Sequence, residues 1–273
     1  MIPKIIHQTW IVDNKWKSKN MPEIFEKIYN KNQEINKGYE YKLWNDNVEE
    51  ILEKEYPKLY EIYNKTILGV QKSDISRLVI LHKYGGIYMD LDILLVKSLD
   101  NLLDYNSDQL YFGYEPKEQT EYLYKSDKYI CNAFIASPKN NVLILNMINT
   151  IIETYNNHGN IIFQKFNIFG SDIFKYIINN SDNNLYEIID RELIYPINDI
   201  KFDMLPSSED DYKLIRDGIC KDKIYMIHYW IHSGFEGKEV LENYKYKNNK
   251  TIEMNIFDFM SLLYPNNKYI KND

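Results

Sequence analysis

Ser73-Asp74-Ile75-Ser76-Arg77-Leu78-Val79-Ile80-Leu81-His82-Lys83-Tyr84-Gly85-Gly86-Ile87-Tyr88-Met89-Asp90-Leu91-Asp92-Ile93-Leu94-Leu95-Val96 is the stretch on which the fold turns. Over residues 73–84, Ile75, Leu78, Val79 and His82 recur at i, i+3, i+4 and i+7, one stripe of a helix, and Gly85-Gly86 supply its stop. Ser73 is the expected N-cap. That puts Asp74 in the first turn, where the helix dipole favours an anion, and Arg77 one turn further on the same face. Residues 87–96 then read as a strand, apolar except for Asp90 and Asp92. A helix that passes through two glycines straight into an apolar strand is a unit of an α/β domain, a mixed sheet covered by helices.

Asp90-Leu91-Asp92 carries the chemistry of this unit. Side chains alternate along a strand, so both carboxylates are expected on one face, with Leu91 pointing into the core. Neighbouring carboxylates repel, and burying them unpaired is costly. A divalent cation answers both problems. Mg²⁺ or Mn²⁺ held by one or two carboxylates keeps positions open for water and diphosphate oxygens. Without a cation, the tripeptide reads as two solvated acids at a strand end, and Asp74 with Arg77 as a surface ion pair worth little.

Outward from this unit, residues 4–10, 39–44, 109–114, 129–136, 185–189 and 224–229 are expected strands. Residues 23–32, 47–56, 142–155 and 172–178 are expected helices, the first with Pro22 at its entry and the second with Asp46 and Glu49 as a variant capping box. No repeat and no Gly/Ser- or Pro-rich linker divides the chain. One domain over residues 1–237 is therefore expected. Residues 238–273, polar and rich in Asn and Lys with a late apolar patch at 254–264, read as a peripheral C-terminal helical extension.

Composition removes several classes. With 33 Lys and Arg against 40 Asp and Glu in 273 residues, the net charge is −7, which excludes a general nucleic-acid binder. Cys131 and Cys220 make neither a disulfide framework nor a zinc knuckle, which suits a reducing compartment. The opening residues do not read as a signal peptide, and no run reaches the ~18 apolar residues of a membrane span. The expectation is a cytoplasmic chain with peripheral contact at the inner face of a bacterial membrane through Phe257, Phe259, Tyr264 and Lys268. The 25 tyrosines reflect either an AT-rich coding bias or surfaces that bind carbohydrate, where flat apolar faces meet sugar C–H groups.

The block Asp74-x-x-Arg77 … Gly85-Gly86-Ile87-Tyr88-x-Asp90-x-Asp92 resembles the signature of the DXD glycosyltransferases, above all glycosyltransferase family 32, with its yeast-type α-mannosyltransferases and bacterial capsule enzymes. Ile2-Pro3-Lys4-Ile5-Ile6-His7-Gln8-Thr9-Trp10 and Tyr41-x-x-Trp44 are similar to that family's opening. The second half is similar in patches: Asn132-Ala133-Phe134-Ile135-Ala136, Gly170-Ser171-Asp172 and Ile227-His228-Tyr229-Trp230.

The resemblance implies a GT-A-like fold with a nucleotide-sugar half at about 1–100 and an acceptor half at about 101–237. It implies retaining transfer of a hexose from UDP-galactose, UDP-glucose or GDP-mannose to a glycan or lipid-linked oligosaccharide acceptor, in capsule or lipopolysaccharide assembly. The implied cofactor is Mn²⁺, or Mg²⁺. Asp92 would bind the metal, and Asp90 the ribose and the metal shell. Asp74 and Arg77 would hold the donor sugar and its phosphate side, with Tyr88 beside them. His7, Thr9 and Trp10 would border the nucleobase, and Asn132 would reach the transferred sugar. His228 reads either as a metal or phosphate contact or as a core histidine, with His232 as a weaker candidate. Asp172 reads as an acceptor-side group or as part of a helix cap. The family's late Ser-Trp pair is replaced by Ser233-Gly234, so Trp230 is the residue left to close over the diphosphate. Two rival readings are a haloacid-dehalogenase-like phosphatase, using Asp90, Asp92 and the Glu209-Asp210-Asp211 cluster, and an inert nucleotide-sugar-binding module. The phosphatase fits poorly, because Ile93-Leu94-Leu95 stand where its loop needs small turn-forming residues.

Overall fold

A computed structural model of the chain describes residues 1–11, 21, 23–45, 47–160, 169–196, 223–228, 230, 245–247 and 253–255. The strands are β1 (Ile5–Thr9), β2 (Glu40–Trp44), β3 (Gly86–Met89), β4 (Ile93–Leu95), β5 (Leu110–Tyr114), β6 (Ile130–Ser137), β7 (Tyr186–Ile189), β8 (Met226–His228), β9 (Lys245–Lys247) and β10 (Glu253–Asn255). The helices are α1 (Glu23–Ile35), α2 (Val48–Glu55), α3 (Pro57–Lys65), α4 (Gly69–Tyr84), α5 (Lys117–Tyr124), α6 (Val142–His158), α7 (Ser171–Asn179) and α8 (Arg191–Ile194).

Six strands form one mixed sheet in the order β2-β1-β3-β6-β5-β7. β1 runs parallel to both β2 and β3, β6 runs antiparallel to β3 and β5, and β7 is parallel to β5. One face is covered by α4, α6 and α7, through Ile75, Leu78, Val79, Ile144, Ile148 and Phe174 against Tyr88, Phe112 and Ile135. The other face buries Ile6, Ile87, Met89 and Phe134 beneath Phe25 and Ile28 of α1 and the two-stranded β4–β8 ribbon. With both faces covered, the strands need apolar side chains on both sides, which is why 87–89 and 133–136 read as near-continuous apolar runs.

Two expectations change at the central unit. α4 starts at Gly69, with Leu68 as N-cap, so Ser73 lies inside the helix and Asp74 in its second turn, beyond the reach of the terminal dipole. Gln71 is buried one turn before Ile75, which carries the inward stripe back past the serine. The strand expected over 87–96 is broken into β3 and β4, which belong to different sheets. The Asp90 amide donates to Ala133 O at 2.8 Å as the last tie to β6, and the Ile93 amide then donates to Asp90 O at 3.2 Å, closing a tight corner. Asn32 of α1 grips the departing strand: its Nδ2 donates to Ile93 O at 2.8 Å, and its Oδ1 accepts from the Leu95 amide at 2.8 Å. The two carboxylates thus sit on a corner instead of alternating along a strand, although Leu91 is buried as expected.

Elsewhere, α2 stops at Tyr56 because Pro57 opens a separate helix, α3. Asp46 lies outside the described residues, and the N-cap Asn47 makes no side-chain cap bond. Asn45 and Asn47 instead accept from each other's backbone amides. Of residues 238–273, the described part is not helix: β9 pairs antiparallel with β10. Phe257, Phe259, Tyr264 and Lys268 lie outside the described residues. Among the described residues no helix is long and apolar enough to cross a membrane.

Candidate active site

The corner after β3 brings four segments together, and Arg77 is the buried hub. Its Nη2 lies 3.1 Å from Asp74 Oδ1 and 3.4 Å from Asp90 Oδ1. Its Nη1 donates to Asn132 O at 2.6 Å, and the guanidinium carbon stands 4.5 Å over the Tyr88 ring. Asn132 Nδ2 donates in turn to Asp74 Oδ1 at 2.8 Å. The Tyr88 hydroxyl donates to Asp90 Oδ1 at 2.8 Å, so the Thr9 hydroxyl, 3.0 Å away, donates to Tyr88 Oη. Gln8 holds the corner itself, donating to Asp90 O at 3.1 Å. β1, β3, α4 and β6 therefore each place at least one polar group here.

On the other side of the corner, β4 pairs with β8 so that Ile93 faces His228. His228 Nε2 lies 3.2 Å from Asp92 Oδ1, both groups buried. Tyr195 and Trp230 pack against the imidazole, with ring centroids 5.8 Å and 4.1 Å away. Trp230 does this with φ at 54°, a left-handed backbone uncommon for a bulky residue.

The electrostatics favour a cation. Burial pushes Asp74 up to about 6, with Arg77 pulling against it and Asp90 adding to it. Burial also raises Asp90, opposed by Arg77 and reinforced by Asp92. Burial works against charge on His228, but Asp92 outweighs it and holds the imidazole well above its ordinary range. Asp74 and Asp90 flank the Arg77 guanidinium and Asp92 pairs with His228, so with all three carboxylates ionised the cluster carries one negative charge beyond what Arg77 and the His228 imidazolium balance. Ligand atoms of Asp90, Asp92 and His228 all lie within 4.8 Å of one another. Two carboxylates and an imidazole, with this excess of charge, fit a single Mn²⁺ or Mg²⁺, imidazole favouring the former.

The other sequence candidates divide. Thr9 and Tyr88 join the Asp90 network, whereas His7 does not approach it. Its Nδ1 accepts from Trp44 Nε1 at 3.1 Å, so its Nε2 donates to Gly85 O at 2.9 Å, and both nitrogens serve the fold. Trp10 packs against Phe25 in the core. Asp172 is in the first turn of α7, exposed, and accepts from the Tyr129 hydroxyl at 3.5 Å; the N-cap is Gly170. Tyr229, His232, Ser233, Gly234 and the Glu209-Asp210-Asp211 cluster lie outside the described residues.

Sequence reasoning missed Gln8, Tyr195 and the close fit of Gly170, where an added Cβ would stand 2.6 Å from Asn132 Nδ2 and 3.0 Å from Asp74 Oδ2. Gln8 and Gly170 lie in stretches that carry the resemblance, where neither was given a role, and nothing local marks Tyr195.

Residues 22–108 match the family model described as a glycosyltransferase sugar-binding region containing the DXD motif. Inositol phosphoceramide mannosyltransferase 3 of Schizosaccharomyces pombe is 38% identical over 105 residues, 38% of this chain but only 28% of that protein's length. An uncharacterized glycosyltransferase of Acanthamoeba polyphaga mimivirus is 29% identical over 202 residues, 72% of this chain and 74% of its own. Among solved structures, the PaToxG glycosyltransferase superposes with a TM-score of 0.50 at 22% identity, over 66% of this chain and 69% of that one, a likeness of fold. The match over residues 22–108 takes in the stretch that supplies Asp74, Arg77, Asp90 and Asp92, which is therefore similar to glycosyltransferase sugar-binding regions that carry the DXD motif.

Proposed function

We propose that the chain is a retaining glycosyltransferase that moves a hexose from a nucleotide sugar to a hydroxyl of a glycan or lipid-linked acceptor, with Mn²⁺ or Mg²⁺ held by Asp90, Asp92 and His228. The observation that carries this reading is the convergence of those three ligand groups within 4.8 Å, beside the Asp74–Arg77–Asn132 cluster.

Breaking the bond from the sugar C1 to the diphosphate builds negative charge on the departing phosphate and positive charge on the sugar. The bound cation would supply Lewis-acid stabilisation of that phosphate charge. Arg77 locks Asp74 and Asn132 into one rigid edge, and fixed hydrogen-bonding groups of this kind orient sugar hydroxyls without reorganising during reaction. Tyr88, held by Thr9, keeps Asp90 turned to the corner. Retention follows from attack on the face the phosphate leaves, the phosphate oxygen taking the acceptor's proton.

UDP-glucose, UDP-galactose and GDP-mannose are the donors to compare, and the S. pombe relative's name, a mannosyltransferase, supports including a mannose donor. The same reading sets the reaction in the cytoplasm, at a membrane face that presents lipid-linked acceptors. A thermal-shift screen of the three donors, with Mn²⁺ or with EDTA, tests it. A donor at a hundred times its Kd adds about 2.7 kcal/mol of stability. One donor is expected to raise Tm only when metal is present, and to be slowly hydrolysed under the same conditions. A chain that binds none of them, or binds one equally well in EDTA, is not this enzyme.

A further inference from the structure

α5 ends at Tyr124, and Lys125 turns the chain in the left-handed conformation with φ at 54°. The Tyr124 ring lies flat on that of Tyr129, centroids 3.8 Å apart and planes 12° from parallel. Core pairs such as Phe112–Phe174 meet edge-on at 72° instead. The two partners are unequal: Tyr129 is 6% exposed, while Tyr124 keeps 39% of its surface open. One face of Tyr124 is taken by Tyr129, which leaves the opposite face as the flat apolar surface this tyrosine can offer a ligand. The Tyr129 hydroxyl donates to the exposed Asp172 at 3.5 Å, which sets a carboxylate at the edge of the platform.

The position of this shelf gives it meaning. Asp172 follows Gly170 by two residues, at most about 7.6 Å between α-carbons. Gly170 is packed against the Asn132 amide and the Asp74 carboxylate, on the donor-sugar side of the corner. Tyr129 itself lies three residues before Asn132. The carboxylate at the edge of the platform is thus two residues along the chain from a glycine packed against the groups assigned to the transferred hexose. The charges of residues 117–129 balance, Lys117, Lys125 and Lys128 against Glu118, Glu121 and Asp127, which gives no pull toward an anionic lipid surface or a polyanion.

We propose that Tyr124 and Asp172 form an acceptor subsite for a neutral pyranose. The C–H face of one acceptor sugar stacks on Tyr124, and a hydroxyl of that sugar donates to Asp172. Tyr129 is a positioning residue: it holds the platform flat and Asp172 turned toward it. This rests on the transferase reading for the sugar's role as acceptor, but not for the binding of carbohydrate.

The test uses the full chain and methyl α-mannoside, methyl α-glucoside and methyl α-galactoside as probes, followed by saturation-transfer NMR titration. Tyr124→Ala, Tyr124→Phe and Asp172→Asn are compared with the unaltered chain. UDP and GDP binding with Mn²⁺ and near-UV circular dichroism are read in parallel. At least one glycoside is expected to bind the unaltered chain. Tyr124→Ala should weaken it by about tenfold, Tyr124→Phe by less than about twofold, and Asp172→Asn by about threefold to fivefold, with nucleoside diphosphate affinity kept throughout. The proposal is overturned if no glycoside binds the unaltered chain, or if Tyr124→Ala binds as well as the unaltered chain. Loss of nucleotide affinity in a folded Tyr124→Ala also overturns it, since the ring then serves the donor. Loss of binding to phosphatidylglycerol vesicles, with glycoside binding kept, does so too. Failure of UDP and GDP to bind the unaltered chain, with the glycoside results as expected, instead removes the donor reading and leaves the carbohydrate shelf standing.

Discussion

A methyl group on Gly170 would meet the Asn132 amide nitrogen at 2.6 Å and Asp74 Oδ2 at 3.0 Å; the amide cannot retreat without straining its bond to Asp74, nor the carboxylate without straining its contact with Arg77. Gly170→Ala should cost about 1–3 kcal/mol by overpacking and should weaken the donor more than any general loss of stability explains. Urea midpoints and donor titrations check this, and a variant with unaltered values in both would mean the contact is slack. Asp92 behaves differently. Its removal relieves repulsion with Asp90, so Asp92→Ala should stay folded. It also deletes one ligand: unit charges 4 Å apart are worth about 4 kcal/mol at an effective dielectric of 20, roughly a thousandfold in turnover. Transfer at the normal rate with metal present would remove the central assignment. Spacing placed Asp74 with Arg77 on one helix turn and Asp90 with Asp92 in one tripeptide, and the resemblance gave them their expected roles. Gln8 reaches Asp90, 82 residues away, and Gly170 reaches back to Asp74 on another element, and a contact between distant segments leaves no local period to read.

At the scale of elements, the corner depends on Asn32 as much as on its own residues. The Asn32 side chain satisfies the buried Ile93 carbonyl and Leu95 amide, and Asn36, just past the end of α1, accepts from the Leu99 amide at 2.9 Å. Asn32→Ala leaves two buried backbone groups unsatisfied. It should cost about 2–4 kcal/mol and loosen β4, with Asp92 at its entry, so metal affinity should fall along with stability. Chemical denaturation and Mn²⁺ titration read the two effects. His7 is a second tie, joining β1, β2 and the end of α4. Burial holds it near 4, below its ordinary 6.5, so between those values the unfolded chain binds the proton that the folded chain refuses. Stability should therefore fall as pH drops through that window, by up to about 3 kcal/mol at its lower end. Urea unfolding at pH 7 and pH 4.5 checks this, with the slope reduced in His7→Gln, where no imidazole titrates. An identical slope in both chains would assign the pH effect elsewhere. The apolar run over 87–96 could not reveal its own break, because β6, β8 and Asn32 make it from outside.

Across the whole molecule, the alternation of helical and strand periods was enough to imply a layered α/β domain. The strand order β2-β1-β3-β6-β5-β7 was not, because pairing is decided by faces that meet only once the layers close. That closure concentrates charge. The chain carries 40 acidic against 33 basic residues, and at the corner three carboxylates meet one buried arginine and one buried histidine between the covered faces of the sheet. Such a site resists folding until something balances it, so a divalent cation should act on the stability of the entire domain and not only on turnover. Mn²⁺ at a hundred times its Kd should add about 2.7 kcal/mol, which for a domain of this size is about 5–10 °C in Tm. EDTA should reverse the shift, and Asp90→Asn should abolish most of it, because one ligand and the uncompensated charge are gone. Calorimetry of the full chain reads this directly. A Tm indifferent to both Mn²⁺ and EDTA, with Asp90→Asn unchanged, would mean that His228 and Arg77 alone neutralise the corner and that no cation belongs there.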